Sequence, residues 1–265
     1  MKIIVALILL FCSCLCPAQD LSYVEHRSLD ADLFVGFDPY KNIFFVKDMV
    51  LYKEGPEGNF SFNDFQMGNI SSVDIINPLK IAVYYKDVNS LVFLDNRLNE
   101  IERFSIENSQ EFINVSAATN AGNNRLWIFN VDSQQLELYD YRSQRKTIVS
   151  QPFPGKLLSQ RSNFNYCFTL TENKLRTFNI YGSLISEIVM EGFTKIVQQN
   201  ENIIALKEND LFYLSPLKDE SVIKQMDGLN FNSTEITIKD LQLTQDFLYI
   251  YNENKISTFK LTLPK

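Results

Sequence analysis

The sequence predicts an all-β protein assembled from a repeated four-stranded unit. Three observations support this prediction: apolar runs that alternate with polar residues at a period of two, frequent Val, Ile, Phe and Tyr within those runs, and a return of the whole pattern at intervals of roughly 40 residues. Alternation at a period of two places successive side chains on opposite faces of a strand. No stretch combines a helical apolar stripe with capping residues, so we predict no helical domain.

The most regular part of each unit is a strand, a tight turn that contains an acid, and a second strand. "KIAVYYKDVNSLVFLD", from Lys80 to Asp95, shows the pattern. Six such hairpins occur, at residues 42–54, 80–95, 125–140, 166–179, 202–215 and 247–260. Their turn acids are Asp48, Asp87, Asp132, Glu172, Glu208 and Glu253. We therefore expect six equivalent units, each with one acidic turn between its second and third strands.

Two shorter apolar runs frame each hairpin and complete the unit. The run before the hairpin is the innermost strand, as in "SVDIINP" from Ser72, and in most units a fourth strand follows the hairpin. Four short strands per repeat of this length are typical of a β-propeller blade. The last unit ends at Lys265 after its third strand, whereas "LSYVEHRSL", from Leu21, is an additional strand at the start. We predict a single β-propeller of six four-stranded blades, closed by the N-terminal strand.

In these repeats the chain resembles the β-propeller superfamily from Leu21 to Lys265, and in particular the degenerate exported repeats of NHL and quinoprotein propellers. The resemblance rests on repeat length and strand pattern, because the repeats lack the WD dipeptide and the kelch double glycine. The single tryptophan, Trp127, departs from the quinoprotein pattern. The resemblance implies a rigid disc whose loops bind partners, as in exported propellers that assist envelope assembly or secretion.

The N-terminal residues have the layout of a secretory signal peptide. Lys2 supplies a positive charge, Ile3 to Leu10 form a short apolar core, and Cys16-Pro17-Ala18 places small residues before a cleavage point. The apolar core is too short for a permanent membrane span. We therefore predict a signal peptide over residues 1–18 and a propeller domain over residues 19–265.

The predicted export determines where we expect the mature chain to be located and which cysteines we expect it to retain. No later segment approaches the roughly 18 apolar residues of a transmembrane helix, so we expect the mature chain in the periplasm or associated with the outer membrane. A lipid anchor on Cys14 or Cys16 is the alternative form of processing. Cleavage leaves Cys167, whose apolar strand "NYCFTL" predicts a buried thiol rather than a nucleophile.

Charge and the scarcity of histidine narrow the function classes. A formal net charge of −7 disfavours nucleic acid, whose phosphates select Lys and Arg. The only histidine is His26, on the closing strand, so we predict neither a zinc site nor a histidine-based triad. Asp95-Asn96 comes nearest to a calcium loop but is better interpreted as a turn between strands. We expect no cofactor and no metal.

Two functions from different classes remain open. The first is a non-enzymatic scaffold that binds envelope proteins, with the six acidic turns as candidate contacts, unless those acids only keep the turns soluble. Phe65 and Met67 either add to a contact surface or pack within a blade. The second is a carbohydrate-binding or carbohydrate-active propeller that uses the central funnel. Its candidate residues are Asp38, Asp74, Asp240, Lys156, Arg161 and Lys195. An exposed apolar patch favours the scaffold, and converging carboxylates favour the sugar site.

Overall fold

A computed structural model of the chain describes residues 20–106, 113–122, 124–153, 155–217, 220–229 and 237–262. Within these ranges the chain forms 24 β-strands in six four-stranded antiparallel sheets, which confirms the predicted all-β class. No helix in this part of the chain is long and apolar enough to cross a membrane. The predicted signal peptide and the lipid anchor on Cys14 or Cys16 lie outside the described residues.

Five blades consist of four consecutive strands each, in order from inner to outer. Blade one contains β2 (Leu33–Phe37), β3 (Ile43–Lys47), β4 (Val50–Gly55) and β5 (Gly58–Phe62), and blade two contains β6 (Ser72–Asp74), β7 (Ile81–Tyr85), β8 (Ser90–Leu94) and β9 (Glu100–Ser105). Blade three contains β10 (Val115–Gly122), β11 (Arg125–Asn130), β12 (Gln135–Asp140) and β13 (Arg145–Ile148). Blade four contains β14 (Leu157–Ser162), β15 (Tyr166–Thr171), β16 (Lys174–Asn179) and β17 (Leu184–Val189). Blade five contains β18 (Phe193–Gln199), β19 (Asn202–Lys207), β20 (Asp210–Leu217) and β21 (Glu220–Leu229).

Blade six is composite, as predicted from the spare strand at the start of the sequence. Its strands, from inner to outer, are β22 (Asp240–Leu243), β23 (Phe247–Asn252), β24 (Lys255–Thr262) and β1 (Asp20–Ser28). β1 pairs antiparallel with β24, and a bulge interrupts the pairing between Tyr23 and Glu25. A bulge twists an exposed edge away from other strands, which discourages pairing between chains. Closure by the N-terminal strand is confirmed.

Apolar layers between neighbouring blades hold the ring together. Six buried clusters fill the six spaces between blades, within the described residues. Phe44 of blade one, for example, shares a cluster with Val83 of blade two, and Trp127 of blade three shares one with Phe178 of blade four. Cys167 lies in the latter layer, where burial raises the pKa of its thiol well above the usual value. The prediction of a buried thiol is confirmed.

The six innermost strands form a closed ring, and this arrangement gives the disc two distinct faces. Each innermost strand contacts the innermost strands on both sides of it. Because every sheet is antiparallel, the turns between second and third strands emerge on one face, which we call the acidic face. Its turn acids are Asp48, Asp87, Asp132, Glu172, Glu208 and Glu253. The first-to-second and third-to-fourth turns emerge on the opposite face, which we call the tyrosine face after Tyr40 and Tyr181.

Candidate functional site

The six acids predicted for hairpin turns all lie between the second and third strands, one in each blade. All six side chains are exposed: Asp48, Asp87, Asp132, Glu172, Glu208 and Glu253. Asp48 and Met49 form a two-residue turn with φ of 51° and 65°, and Glu208 has φ of 54°. Positive φ at both residues of such a turn matches the twist of the flanking strands. The predicted position of these acids in the turns is therefore confirmed.

The structure spreads these acids around the disc rather than gathering them. Asp132 accepts a hydrogen bond from Asn114 Nδ2 at 3.3 Å, and the Asp48 amide donates to Asp32 Oδ2 at 2.8 Å. No group of three His, Cys, Asp or Glu side chains in the described part of the chain is placed to hold a metal ion. The role of the six acids as contact residues stays a prediction.

The three inner-strand acids considered for a sugar site are each engaged by the protein itself. Asp38 Oδ1 accepts hydrogen bonds from two backbone amides of its own turn, both at 2.9 Å. Asp74 accepts one from its own turn at 2.9 Å and one from the Asn120 amide of the next blade at 2.8 Å. Asp240 Oδ1 lies 2.8 Å from Lys195 Nζ. These carboxylates stabilise turns and link neighbouring blades.

Two of the three candidate cations lie within this inner ring. Lys195 pairs with Asp240 and also donates to a backbone carbonyl at 2.7 Å. Burial raises the pKa of Asp74, and the backbone hydrogen bonds and the charge of Arg161 oppose that rise. Lys156 is exposed and precedes β14. The structure thus joins Lys195 to Asp240 and places Arg161 within electrostatic range of Asp74, whereas Lys156 stands apart.

At several junctions, a side chain of one innermost strand also bonds to the backbone of the neighbouring innermost strand. Gln242 accepts a hydrogen bond from the Phe37 amide and donates one to the Phe37 carbonyl, both at 2.7 Å. Ser162 Oγ donates to the Asn120 carbonyl at 2.7 Å, and Gln198 Nε2 donates to the Ser162 carbonyl at 2.9 Å. These polar groups at the centre thereby help to hold the ring closed.

Large apolar side chains stand exposed on the tyrosine face, a feature that the sequence analysis missed. Their exposed fractions are 57% for Tyr40, 66% for Leu79, 47% for Phe164 and 90% for Tyr181. They lie in first-to-second turns of blades one, two and four and in the third-to-fourth turn of blade four. Tyrosine is among the residues that contribute most to protein interfaces, because it combines a large apolar ring with a hydroxyl group.

In three of these turns, an Asp or Asn side chain two residues before the exposed apolar residue fixes the backbone. In this arrangement, called an Asx turn, the side-chain oxygen of Asp or Asn accepts a hydrogen bond from the backbone amide of the exposed residue. The bond holds the backbone of the turn in one conformation. The three bonds are Tyr40 to Asp38 Oδ1 at 2.9 Å, Leu79 to Asn77 Oδ1 at 3.1 Å, and Tyr181 to Asn179 Oδ1 at 3.0 Å. The local signal is an Asp or Asn two residues before the apolar side chain, as in "DPY", "NPL" and "NIY".

Two further turns on this face combine a carboxylate that accepts backbone amides with an exposed arginine. Asp95 Oδ1 accepts a hydrogen bond from the Arg97 amide at 2.8 Å, and Asp140 Oδ1 accepts one from the Arg142 amide at 2.9 Å. Hydrogen bonds lower the pKa of Asp140, and the bond from the Ser143 amide contributes most. Both arginine side chains are exposed. The interpretation of Asp95 as a turn residue is confirmed.

No protein-family model and no curated protein matches the chain. Solved structures do: a chain of the mitotic checkpoint complex has a TM-score of 0.63 at 8% identity, covering 93% of this chain and 94% of that one. A virginiamycin B lyase from Staphylococcus aureus gives 0.60 at 9% identity, covering 90% and 99%. BamB from Moraxella catarrhalis gives 0.51 at 11% identity, covering 91% and 99%. This chain is a six-bladed β-propeller. At these identities the likeness shows the fold alone.

The remaining residues singled out in the sequence lie away from the centre of this propeller. His26 is exposed on β1, the outermost strand of blade six, with Nδ1 2.6 Å from the Tyr23 hydroxyl. Phe65 is 60% exposed, in the connection that leads from blade one to blade two. Met67 packs against the apolar layer between those blades. Of the two residues expected in that loop, one is therefore exposed and one contributes to packing.

Proposed function

We propose that this propeller is a non-enzymatic protein-interaction scaffold, exported to the periplasm or cell envelope, where it assists an assembly or secretion machinery. The observation that carries the proposal is the set of exposed apolar side chains on the tyrosine face: Tyr40, Leu79, Phe164 and Tyr181. Asx bonds fix the backbone at three of them before any partner arrives, which reduces the backbone conformational entropy lost on docking. Fold likeness to a chain within the mitotic checkpoint complex and to BamB supports an interaction role.

Separate observations support the two other parts of the proposal, which are export and a non-enzymatic role. The signal-peptide layout of residues 1–18 supports export. Local engagement of Asp38, Asp74 and Asp240 supports a structural use of the inner acids rather than general acid–base work. The lyase activity named for the Staphylococcus aureus propeller belongs to that protein, and the single histidine here, His26, lies on an outermost strand.

Affinity capture of the tagged full-length protein from solubilised envelope, read by mass spectrometry, tests this proposal. We expect recovery of at least one envelope protein in stoichiometric amount, and co-fractionation of the native protein with the periplasm or envelope. A partnerless monomer, or a protein that stays in the cytoplasm, would contradict the proposal. A partnerless protein that binds a glycan array would instead favour the carbohydrate-binding alternative, which stays a prediction.

A further inference from the structure

We propose that the tyrosine face docks an acidic partner protein, whose contact region places Asp or Glu carboxylates around an apolar centre. This inference rests on the proposed scaffold function and adds the face that is used and the chemistry of the partner. The docking surface spans blades one to four. It consists of Tyr40, Lys41, Leu79, Arg97, Arg142, Phe164 and Tyr181.

Cations accompany the apolar side chains on this surface, although the chain as a whole has a formal net charge of −7. Lys41 directly follows Tyr40, and Arg97 lies in the third-to-fourth turn of blade two. Arg142 occupies the equivalent turn of blade three, and 62% of its side chain remains exposed although Nη2 lies 3.0 Å from Glu102. Tyrosine and arginine, with tryptophan, are the residue types enriched among the energetically dominant contacts of protein interfaces.

Among the described residues, the exposed carboxylates of this face are either paired with a cation or lie outside the docking surface. Glu57 lies 2.9 Å from Lys53 Nζ, and Glu100 lies 2.6 Å from Arg103 Nη2. In blades five and six, the exposed acids of this face for which the structure describes the side chain are Glu201 and Asp246. Lys41, Arg97 and Arg142 are therefore the charged side chains that the docking surface exposes.

This local charge identifies the chemistry of the partner. Like charges across an interface repel and opposite charges steer partners together, so a surface with exposed arginines selects carboxylates. The arginine guanidinium also binds a carboxylate through two parallel hydrogen bonds, which fixes orientation. A second copy of this chain is the rival occupant, because its acidic face presents carboxylates. Such a head-to-tail contact does not close on itself and would produce filaments of increasing mass.

Site-specific photo-crosslinking in cells that produce the full-length protein tests which face is used. Benzoylphenylalanine replaces Tyr40 or Tyr181 on the tyrosine face and, as matched controls, Met49 or Val131, which are exposed on the acidic face. We expect one partner protein to be crosslinked from the first two positions only. Crosslinks from the control positions alone would overturn the docking surface and leave the scaffold function standing. The absence of crosslinks at all four positions would overturn both.

Titration of the crosslinked partner, once purified, against the full-length protein tests the chemistry. We expect Tyr181→Ala to raise Kd about 30-fold, and the double change Arg97→Glu and Arg142→Glu to raise it at least about tenfold. Lys86→Glu, at an exposed lysine of the acidic face, is the matched charge reversal and should leave Kd unchanged. Added salt should weaken the complex.

Two outcomes of these experiments would overturn the proposal of an acidic partner. The first is a complex formed on the tyrosine face whose Kd is insensitive both to salt and to the arginine reversals. Such a complex would retain the docking surface but not the carboxylate chemistry. The second is a crosslink to another copy of this chain, accompanied by a sedimentation coefficient that rises with concentration.

Discussion

Replacement of Gly36 by alanine should loosen the junction at which the ring closes. Gly36 lies on β2 with φ of 140°, and a Cβ added there would lie 2.5 Å from Cδ of Gln242 on β22. Atoms do not approach so closely, so the Gln242 amide must move. Its two hydrogen bonds to the Phe37 amide and carbonyl, both 2.7 Å long, would then be lost.

The cost of this change has two parts. Two hydrogen bonds at about 1 kcal/mol each contribute about 2 kcal/mol. Alanine held in a backbone region that side-chain-bearing residues rarely adopt adds about 1–3 kcal/mol. The free energy of unfolding should therefore fall by about 3–5 kcal/mol. Gly68 is the matched control, because its φ is 77° and no atom of the described residues lies within 4 Å of an added Cβ. Gly68→Ala should cost only the backbone part, about 1–2 kcal/mol.

Urea unfolding followed by the fluorescence of Trp127 measures these free energies. A double-mutant cycle with Gln242→Ala isolates the steric coupling, because that variant has no amide to displace. In this background, Gly36→Ala should cost about 2 kcal/mol less than in the wild-type chain. Costs that simply add would refute the reasoning, and so would a Gly36→Ala protein as stable as the Gly68→Ala protein.

Three other features of the chain lead to separate measurements. The hydrogen bond from Arg103 lowers the pKa of Glu100 below its usual 4.5, so the unfolded chain takes up the proton first on acidification. The stability that this pair provides above pH 4.5 is therefore lost as the pH falls through the lowered pKa of Glu100. Arg103→Gln should flatten this part of the pH profile of thermal unfolding, and an unchanged profile would contradict the role of Arg103. A thiol reagent should label Cys167 only in urea, as read by peptide mass spectrometry, and labelling in native buffer would contradict its burial. Trp127→Ala should lower the free energy of unfolding in urea by about 3–5 kcal/mol, followed by circular dichroism because the variant lacks the fluorescent probe, and a loss below about 1 kcal/mol would contradict its tight packing.

The blades could be predicted from the sequence because the patterns that specify them are local. Period-two alternation on both sides of Asp87 identifies β7 and β8, and the polar turn between them sets where the chain reverses. The composite blade is predicted by counting, since the last repeat lacks a fourth strand and "LSYVEHRSL" has no hairpin of its own. The side on which each turn emerges then depends only on strand order.

The docking surface is less predictable because exposure depends on contacts that the sequence does not show. Tyr139 is 1% exposed and Tyr181 is 90% exposed, although both lie close to the end of an apolar strand. The Asn179 side chain, which fixes the turn before Tyr181, is a local sign of the difference. Gln242 and Phe37 are 205 residues apart, and no local pattern selects that pair.

Aspartate has opposite roles on the two faces, and net charge alone therefore points to the wrong surface. Asp87 projects into solvent from the acidic face. On the tyrosine face, Asp95 and Asp140 accept backbone amides of their own turns, whereas Arg97 and Arg142 are exposed to solvent. Association responds to the local field at the contact surface, so an acidic chain of this kind can attract an acidic partner. Because the opposite face repels the same partner, the two faces together orient the propeller before close contacts form.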